Sequence, residues 1–330
     1  MARVAKSPVS VLTAGTGFVW AVTLLVSSKF IFSFQDVIIK LLSGDFPVHE
    51  LVFLRGIIGL PVLLLFIHLD GGLDTLRTKR PGFHFLRGTS MFAAFMFYYL
   101  AISAIPLTTG IALFFTAPLF ITALSIPILG ETVGVRRWLG VIAGFVGVLI
   151  MIRPGTAGFE PAALLALLSA FFYAASQVVA RRMGATESAT VMSFYANLAY
   201  IGIGALMYFV FTSVQPAGQV NPALNFLTMP WAMPNLLEGA MIGIIGFISA
   251  IGFSIGTQAY RLGEANRLAP FEYTALIWAS LLSAAVWFHF PDEWTLAGVL
   301  IVMTAGMFVL RREHEVQPRP FSRRGIFRYR

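Results

Sequence analysis

Ten long apolar segments dominate this chain and limit what it can fold into more than any other feature. A helix needs about 20 apolar residues to cross the hydrocarbon core of a bilayer, with a working range of about 17–25. Strands of a membrane barrel alternate apolar and polar residues, whereas these segments are apolar on every side. The sequence therefore predicts an all-α membrane protein with ten transmembrane helices: Phe18–Leu42, Glu50–Leu69, Gly82–Ala104, Thr108–Leu129, Trp138–Ile152, Pro161–Met183, Thr190–Thr212, Leu236–Tyr260, Leu268–Phe290 and Trp294–Leu310.

Composition and missing motifs exclude several classes of protein. Hydrophobic residues make up 58% of the chain and charged residues 12%, against about 45–50% and about 25% in a soluble domain. The chain has no cysteine, which excludes disulfide frameworks, thiolate metal sites and thiol nucleophiles. The sequence contains no P-loop or HExxH motif, and its histidines are scattered. We expect no catalytic site, no metal and no cofactor, and hence not an enzyme.

The basic residues predict the orientation of the spans. Under the ten-span model, 19 of the 23 lysines and arginines fall on one side, and only Arg153 falls in an opposite loop. Lysine and arginine concentrate in cytoplasmic loops, so both termini are predicted to be cytoplasmic. This topology explains the net charge of +8 without a nucleic-acid partner. The arginine-rich tail, 311–330, is interpreted as an anchor on anionic lipid, with a partner-binding tail as the alternative.

The sequence also divides into two similar halves. A shift of 141 residues places Gln177 on Asp36 and Arg181 on Lys40. The segment YYLAISAIPLTTGIALFFTAPLF has a counterpart in IGTQAYRLGEANRLAPFEYTALI, with the same short link between helices. The predicted units are a cytoplasmic segment at 1–17, a first repeat at 18–152, a linker at 153–160, a second repeat at 161–310 and a cytoplasmic tail at 311–330.

An odd number of spans in each half has a topological consequence. After five helices the chain enters the membrane from the opposite side, so the second half is inverted relative to the first. Inverted repeats are a common plan of secondary transporters, which bind substrate near the midplane between the halves. The pattern therefore predicts two inverted five-helix repeats around a central cavity that opens to either side in turn.

Two segments carry a resemblance to a known family. The stretch LRGTSMFAAFMFYYLAISAIPLTTGIALFFTAPLFITALSIPILGETVGVRRWLGVIAGFVGVLIMIRPG resembles the EamA-type signature of the drug/metabolite transporter superfamily, and RLGEANRLAPFEYTALIWA resembles its second-half counterpart. The resemblance implies ten helices, transport without ATP, and a cavity lined mainly by helices one, three, four, six, eight and nine. It also implies substrates such as amino acids, nucleotide-derived metabolites, riboflavin, S-adenosylmethionine or drugs.

Ionisable groups inside the first span are the first candidates for substrate binding or coupling. Each costs about 2.5–3.5 kcal/mol in a bilayer by insertion scales, so each needs water or an internal partner. Lys29, Ser33, Asp36 and Lys40 share one helix face by their spacing. We predict that this face lines the cavity. Pairing of Asp36 with Lys40 or Lys29, which would only hold helices in register, is the structural alternative, and Lys40 could instead snorkel to the interface.

Charged residues of two other spans complete the ionisable set. Arg55, one turn into the second span, could clamp a substrate carboxylate in two-point contact or pair with Asp36 or Glu50. Glu272 lies early in the ninth span, where burial would suit a proton carrier. A salt bridge from Glu272 to Arg261 or Arg267 is the structural alternative.

Buried amides and aromatic rings form a second group of candidates. Gln177, Asn197 and Gln258 could hydrogen-bond a ligand, although amides in membranes more commonly join helices. Tyr99 and Trp278 could stack on a ligand ring or cation, although most aromatic residues in spans only fill space.

The sequence thus predicts a secondary active carrier of a small organic metabolite. The mixed charges favour a zwitterionic or amphiphilic molecule, such as an amino-acid derivative or S-adenosylmethionine, and a riboflavin or other aromatic carrier is the alternative. A membrane scaffold or a lipid-modifying enzyme is the alternative of another class. Four lysines against nineteen arginines are typical of a GC-rich bacterial genome and favour a bacterial inner (plasma) membrane. The glycine-bearing fifth and tenth spans leave a homodimer open.

Overall fold

The chain folds into a bundle of helices. The computed structural model describes residues 14–130, 134–156, 159–183, 187–212, 221–262, 271 and 273–315. The α-helices in chain order are α1 Ala14–Leu42, α2 Val48–Leu69, α3 Pro81–Ala104, α4 Leu107–Phe114, α5 Ala117–Leu129, α6 Val135–Ile152, α7 Ala163–Met183, α8 Ala189–Thr212, α9 Pro222–Thr228, α10 Leu236–Leu262, α11 Thr274–Trp287 and α12 Glu293–Glu315. No strand occurs among these residues.

Seven segments are long and apolar enough to cross a membrane. Three shorter apolar helices lie where the fifth, ninth and tenth spans are predicted. The prediction of an all-α membrane protein is confirmed for the described residues. The seven long segments are Phe18–Leu42, Val48–Leu69, Pro81–Ala104, Leu107–Leu129, Ala163–Ala180, Thr190–Phe211 and Leu236–Gly256, and the three shorter helices are Trp138–Ile152, Thr274–Trp287 and Glu293–Ala305.

The fourth predicted span is not one continuous helix. The chain breaks between α4 and α5 at Phe115 and Thr116, where the Thr116 hydroxyl donates to the Leu113 carbonyl at 2.7 Å. Pro118 lies in the first turn of α5, and because proline has no N–H it leaves the Phe114 carbonyl without its usual helical partner. The predicted span Thr108–Leu129 is matched by the apolar segment Leu107–Leu129, which consists of the two helices α4 and α5.

A similar junction precedes α11. Tyr273 has φ −69° and ψ −9°, close to the φ −72° and ψ −12° of Thr116. These two residues also correspond in the alignment of the two repeated segments. Within the ninth predicted span, α11 begins at Thr274, and it ends at Trp287 because Phe288 adopts a left-handed conformation with φ 57°.

Helix contacts between the first and second halves of the chain occur in reciprocal pairs. α1 packs against α10 as α3 packs against α7, and α2 packs against α10 as α3 packs against α8. Likewise, α1 contacts α11 while α4 and α5 contact α7. Three further contacts join helices that correspond in the two halves: α2 with α8, α4 with α11, and α6 with α12.

Glycines allow the closest of these approaches. A Cβ on Gly147 of α6 would lie 2.9 Å from the Gly298 carbonyl oxygen, and one on Gly298 of α12 would lie 2.6 Å from the Gly147 carbonyl oxygen. The glycine-bearing fifth and tenth predicted spans therefore pack on each other within one protomer. In contrast, added Cβ atoms on Gly239 and Gly243 meet nothing within 4 Å, so these two glycines of α10 are not contact points between helices.

Candidate functional site

The two helix junctions meet inside the bundle. The ring of Phe115, at the break between α4 and α5, packs edge-on against the ring of Tyr273, with centroids 4.9 Å apart. Interrupted helices at corresponding positions of two halves are a mark of transporter binding sites, because they place backbone polar groups near the midplane. The junctions therefore identify the region in which a site is expected.

A buried carboxylate lies on α1 close to this region. Asp36 is 8% exposed, and its Oδ2 accepts a hydrogen bond of 2.9 Å from the Tyr98 hydroxyl of α3. The Tyr98 ring in turn contacts Phe114, the last residue of α4, at 5.6 Å between centroids. The hydrogen bond from Tyr98 fixes the carboxylate between α1 and α3, next to the break after α4.

A buried guanidinium faces the same region from α2. Arg55 is 4% exposed, and its Nη1 donates to the Tyr99 hydroxyl at 3.2 Å, which also accepts from Gln35 Nε2 at 2.8 Å. The guanidinium carbon lies 4.4 Å from the ring centre of Phe95 and 5.0 Å from that of Tyr200 on α8. Gln35, Asp36, Arg55, Tyr98, Tyr99 and Tyr200 together are called the polar centre.

The two charged groups of the polar centre form hydrogen bonds with tyrosine hydroxyls, and the described residues contain no direct ion pair between them. Among the described residues, neither Asp36 nor Arg55 forms an ion pair within 4.0 Å, although the two interact electrostatically. Gln35 Oε1 is buried and has no hydrogen-bond partner in the part of the chain that the structure describes. A buried charge is costly without a partner of opposite sign, so this arrangement suits a ligand that carries both signs.

Lys40 has a different environment from that of Asp36. Its Nζ donates to the carbonyl oxygens of Ile102 and Ile105, the second at 2.6 Å, and lies 5.5 Å from the Trp287 ring. A lysine often satisfies the free carbonyls at the end of a helix in this way. The alternative that Lys40 pairs with Asp36 is wrong, since Asp36 bonds to Tyr98 and Lys40 bonds to the end of α3.

Two of the predicted amides join helices or neighbouring turns. Asn197 of α8 donates through Nδ2 to the Gly56 carbonyl of α2 at 2.9 Å. Gln177 donates through Nε2 to the Tyr173 hydroxyl, one turn earlier on α7, at 2.7 Å. Tyr173 packs on Phe114 at 5.0 Å, so Gln177 lies next to the α4 break, whereas Asn197 fixes α8 to α2.

The remaining candidates lie outside the polar centre or outside the described residues. Lys29 is half-buried on α1, about 10 Å from Asp36 along the helix axis at 1.5 Å per residue. Gln258 is half-buried on α10. The Trp278 ring packs on Phe30 at 5.1 Å, and its buried Nε1 has no hydrogen-bond partner in the described part of the chain. Glu272 lies outside the described residues.

One end of the bundle is closed over the polar centre by residues 221–235, called the cap. Phe226 of α9 is fully buried and belongs to the same hydrophobic core as Tyr98 and Tyr99. The Trp231 indole donates to His49 Nδ1 at 2.7 Å, and the Ala232 N–H donates to Glu50 Oε2 at 3.1 Å. These contacts join the cap to the first turn of α2.

The polar centre is buried in this conformation, since each of its members is at most 8% exposed. Two clefts of about 470 Å³ and about 400 Å³ lie at the start of α3.

The sequence-based candidates missed part of the aromatic framework. Tyr200 and Phe95 enclose the Arg55 guanidinium, and Gln35 bonds to Tyr99. Phe95, Tyr98 and Tyr99 recur at a spacing of three and four residues, which places them on one helix face. Tyr200 lies three residues after Asn197 and shares its face in the same way.

Comparison with known proteins relates the chain to transporters. Residues 19–153 match the model of the EamA-like transporter family. The chain is 29% identical over 301 residues to an S-adenosylmethionine uptake transporter of Rickettsia bellii, covering 91% of this chain and 95% of that protein. It is 26% identical over 275 residues to a riboflavin transporter of Vibrio cholerae, covering 81% and 84%. A solved crystal structure has a similar fold, with a TM-score of 0.57 at 20% identity over 92% of this chain and 98% of that chain.

Proposed function

We propose, on the premise that this chain is an EamA-type member of the drug/metabolite transporter superfamily, that it carries a zwitterionic or amphiphilic metabolite across a membrane by alternating access. The single observation that carries the proposal is the polar centre. There, a buried carboxylate and a buried guanidinium lie in an aromatic framework, each bonded to a tyrosine. A substrate with a cationic group and a carboxylate complements both charges at once.

S-adenosylmethionine is the substrate that this chemistry favours most. Its sulfonium and ammonium groups suit Asp36, its carboxylate suits a two-point contact with Arg55, and its adenine ring suits the tyrosine faces. A relative over most of the chain bears the name of an S-adenosylmethionine uptake transporter. Of the remaining candidates, Gln177 lies beside the α4 break through its bond to Tyr173. Lys29, Gln258, Glu272 and Trp278 are proposed as further contacts for the substrate or the coupling ion.

Riboflavin is the second candidate, because aromatic rings outnumber charges around the centre. Phe95, Tyr99 and Tyr200 could enclose a flat ring system, and one relative is named a riboflavin transporter. In that case Arg55 and Asp36 would hydrogen-bond polar edges of the ring and would not neutralise ligand charges.

Alternating access is supported by the reciprocal helix contacts and by the cap. We propose two five-helix repeats, 18–152 and 161–310, joined by the linker 153–160 and inverted relative to each other, with the tails 1–17 and 311–330 in the bacterial cytoplasm. If a pseudo-two-fold axis relates the two repeats, contacts between helices must occur in reciprocal pairs. The contacts of α1 with α10 and of α3 with α7 form such a pair. The cap then closes the outer side, so the described conformation is shut toward the exterior.

A flux assay tests the proposal directly. The purified chain is reconstituted into liposomes. Uptake of labelled S-adenosylmethionine, riboflavin and the amide of a neutral amino acid, which lacks the carboxylate but keeps the ammonium group, is measured with and without a pH gradient. We expect saturable S-adenosylmethionine flux, at least tenfold above empty liposomes and abolished by excess unlabelled substrate. Flux of riboflavin alone would identify riboflavin, and not S-adenosylmethionine, as the substrate. Absence of flux for every compound in the panel would contradict both proposals.

A further inference from the structure

A second candidate site lies at the start of α3, away from the polar centre. A groove of about 400 Å³ lies between α3 and α8 and is lined mainly by apolar side chains, including Phe85, Leu198, Ile203 and Leu206. Phe85 is 72% exposed and Leu206 61% exposed, so the groove opens sideways toward the surface that faces lipid. Gly202 lines it, and an added Cβ there would meet nothing within 4 Å.

A basic cleft continues this groove around the first turn of α3. The cleft, of about 470 Å³, is lined by Lys79, Arg80, Pro81, Gly82, Phe83 and Leu86, and it shares Pro81 with the groove. Arg182 adds a third cation, with its guanidinium carbon 5.4 Å from the Phe83 ring centre. Lys79 and Arg80 form no ion pair among the described residues.

Acidic groups near this cleft already have partners. Glu187 accepts from the Thr78 hydroxyl at 2.8 Å and lies 3.4 Å from His84 Nε2. Asp74 lies 3.9 Å from Arg77, and Asp70 accepts from the Thr190 hydroxyl at 2.8 Å. The cations at the mouth of the cleft therefore keep their capacity to attract an anion.

A buried polar atom lines the groove close to the basic residues. His84 is 3% exposed and lies one helical turn after Arg80, and its Nδ1 has no hydrogen-bond partner in the ranges that the structure describes. The same turn begins the helix, where free N–H groups give a partial positive charge. Because Nε2 faces the Glu187 carboxylate and carries the ring proton, Nδ1 is an acceptor, and a glycerol hydroxyl held above the groove could donate to it.

We propose that the groove and the cleft together bind one anionic phospholipid, with an acyl chain in the groove between α3 and α8 and the phosphate at Lys79 and Arg80. Basic pockets beside transmembrane helices at the cytoplasmic surface bind anionic headgroups in this way. In the proposed topology, the start of α3 lies at that surface. The acyl chain extends along α8 toward Leu206, which is deeper in the bilayer.

Lipid titration of the full-length protein in detergent tests this site. Bound lipid is counted by native mass spectrometry after addition of phosphatidylglycerol, phosphatidylcholine or glycerol phosphate. We expect the native chain to retain one phosphatidylglycerol with at least fivefold preference over phosphatidylcholine, and to retain no glycerol phosphate at the same concentration. Equal retention of the two lipids, or equally tight binding of free glycerol phosphate, would overturn the proposal.

Matched variants locate the effect. Lys79→Ala and Arg80→Ala should each reduce the preference for phosphatidylglycerol at least threefold. Arg77→Ala removes the same charge from the same loop, but its side chain is 89% exposed and lies outside both clefts, so the preference should remain. Gly202→Phe should fill the groove and reduce retention of both lipids. A loss with Arg77→Ala as large as with the other two, or unchanged retention with Gly202→Phe, would contradict a defined site.

Discussion

Asp36 and Lys40 lie on the same face of α1 but have different surroundings. The carboxylate is buried and bonded to Tyr98 beside the α4 break. The ammonium, one turn later, satisfies carbonyls at the end of α3. We expect the two residues to have different roles because their side chains contact different parts of α3. Substitution of Asp36 should mainly affect transport, whereas substitution of Lys40 should mainly affect stability.

For Asp36→Asn we expect a loss of at least tenfold in kcat/KM for a cationic or zwitterionic substrate, because the amide is nearly isosteric but removes the charge that attracts the cation. Uptake by proteoliposomes measures the change. Asp45→Asn is the matched control, since Asp45 is exposed at the end of α1 and should transport normally. Full transport by Asp36→Asn over a broad pH range would exclude both a substrate contact and a coupling role.

For Lys40→Met we expect a loss of stability with little change in KM, because the free carbonyls of α3 lose their partner. A hydrogen bond that involves a charged group contributes about 1.5–3 kcal/mol. Thermal unfolding of the purified variant measures the loss, and Lys40→Arg should restore much of it. A large rise in KM with normal stability would instead place Lys40 in the substrate site.

At the level of elements, short segments close and shape the bundle. The cap carries Phe226 into the core, and Trp231 and Ala232 bind the first turn of α2. Because His49 and Glu50 lie on α2 and the cap precedes α10, any separation of these two helices must break these contacts. Under the proposed alternating access, we therefore expect the cap to be released when this end of the bundle opens.

The absence of cysteine makes this expectation measurable with single-cysteine variants. Ala223→Cys on the buried face of α9 should resist a membrane-impermeant maleimide, whereas Leu224→Cys on its exposed face should react. Adding Glu50→Gln and Trp231→Ala should raise the labelling rate of Ala223→Cys at least fivefold and leave Leu224→Cys unchanged. Equal labelling of the two cysteines in the otherwise native chain would show that the cap does not close this end.

At the level of the whole molecule, the reciprocal contacts between halves are what an inverted repeat predicts. α6 packs on α12 and α2 on α8, so these corresponding helices of the two halves are in contact. The close approach of Gly147 and Gly298 lets the fifth and tenth predicted spans pack directly on each other.

The inversion predicts that corresponding loops face opposite sides of the membrane. Asp74→Cys, in the loop after α2, should be labelled only from the cytoplasmic side. Leu224→Cys, in the corresponding connection after α8, should be labelled only from the outside. The measurement is maleimide labelling of oriented vesicles from one side at a time, with permeabilised vesicles as the control for cysteine reactivity. Labelling of both positions from the same side would contradict inverted halves.

The sequence by itself determined the helical membrane class and the approximate bounds of the apolar segments, because burying polar groups in lipid is costly and long spans must therefore be apolar. It also showed a resemblance to one family of transporters. It also pointed to Asp36, Arg55 and Tyr99, because charges and polar rings inside apolar segments are rare. Only the tertiary structure decided that Tyr98 bonds to Asp36, that Lys40 bonds to the end of α3, and that Tyr200 lies against Arg55. The partners of a side chain depend on contacts between residues far apart in the chain, and helical periodicity specifies a face but not what packs against it.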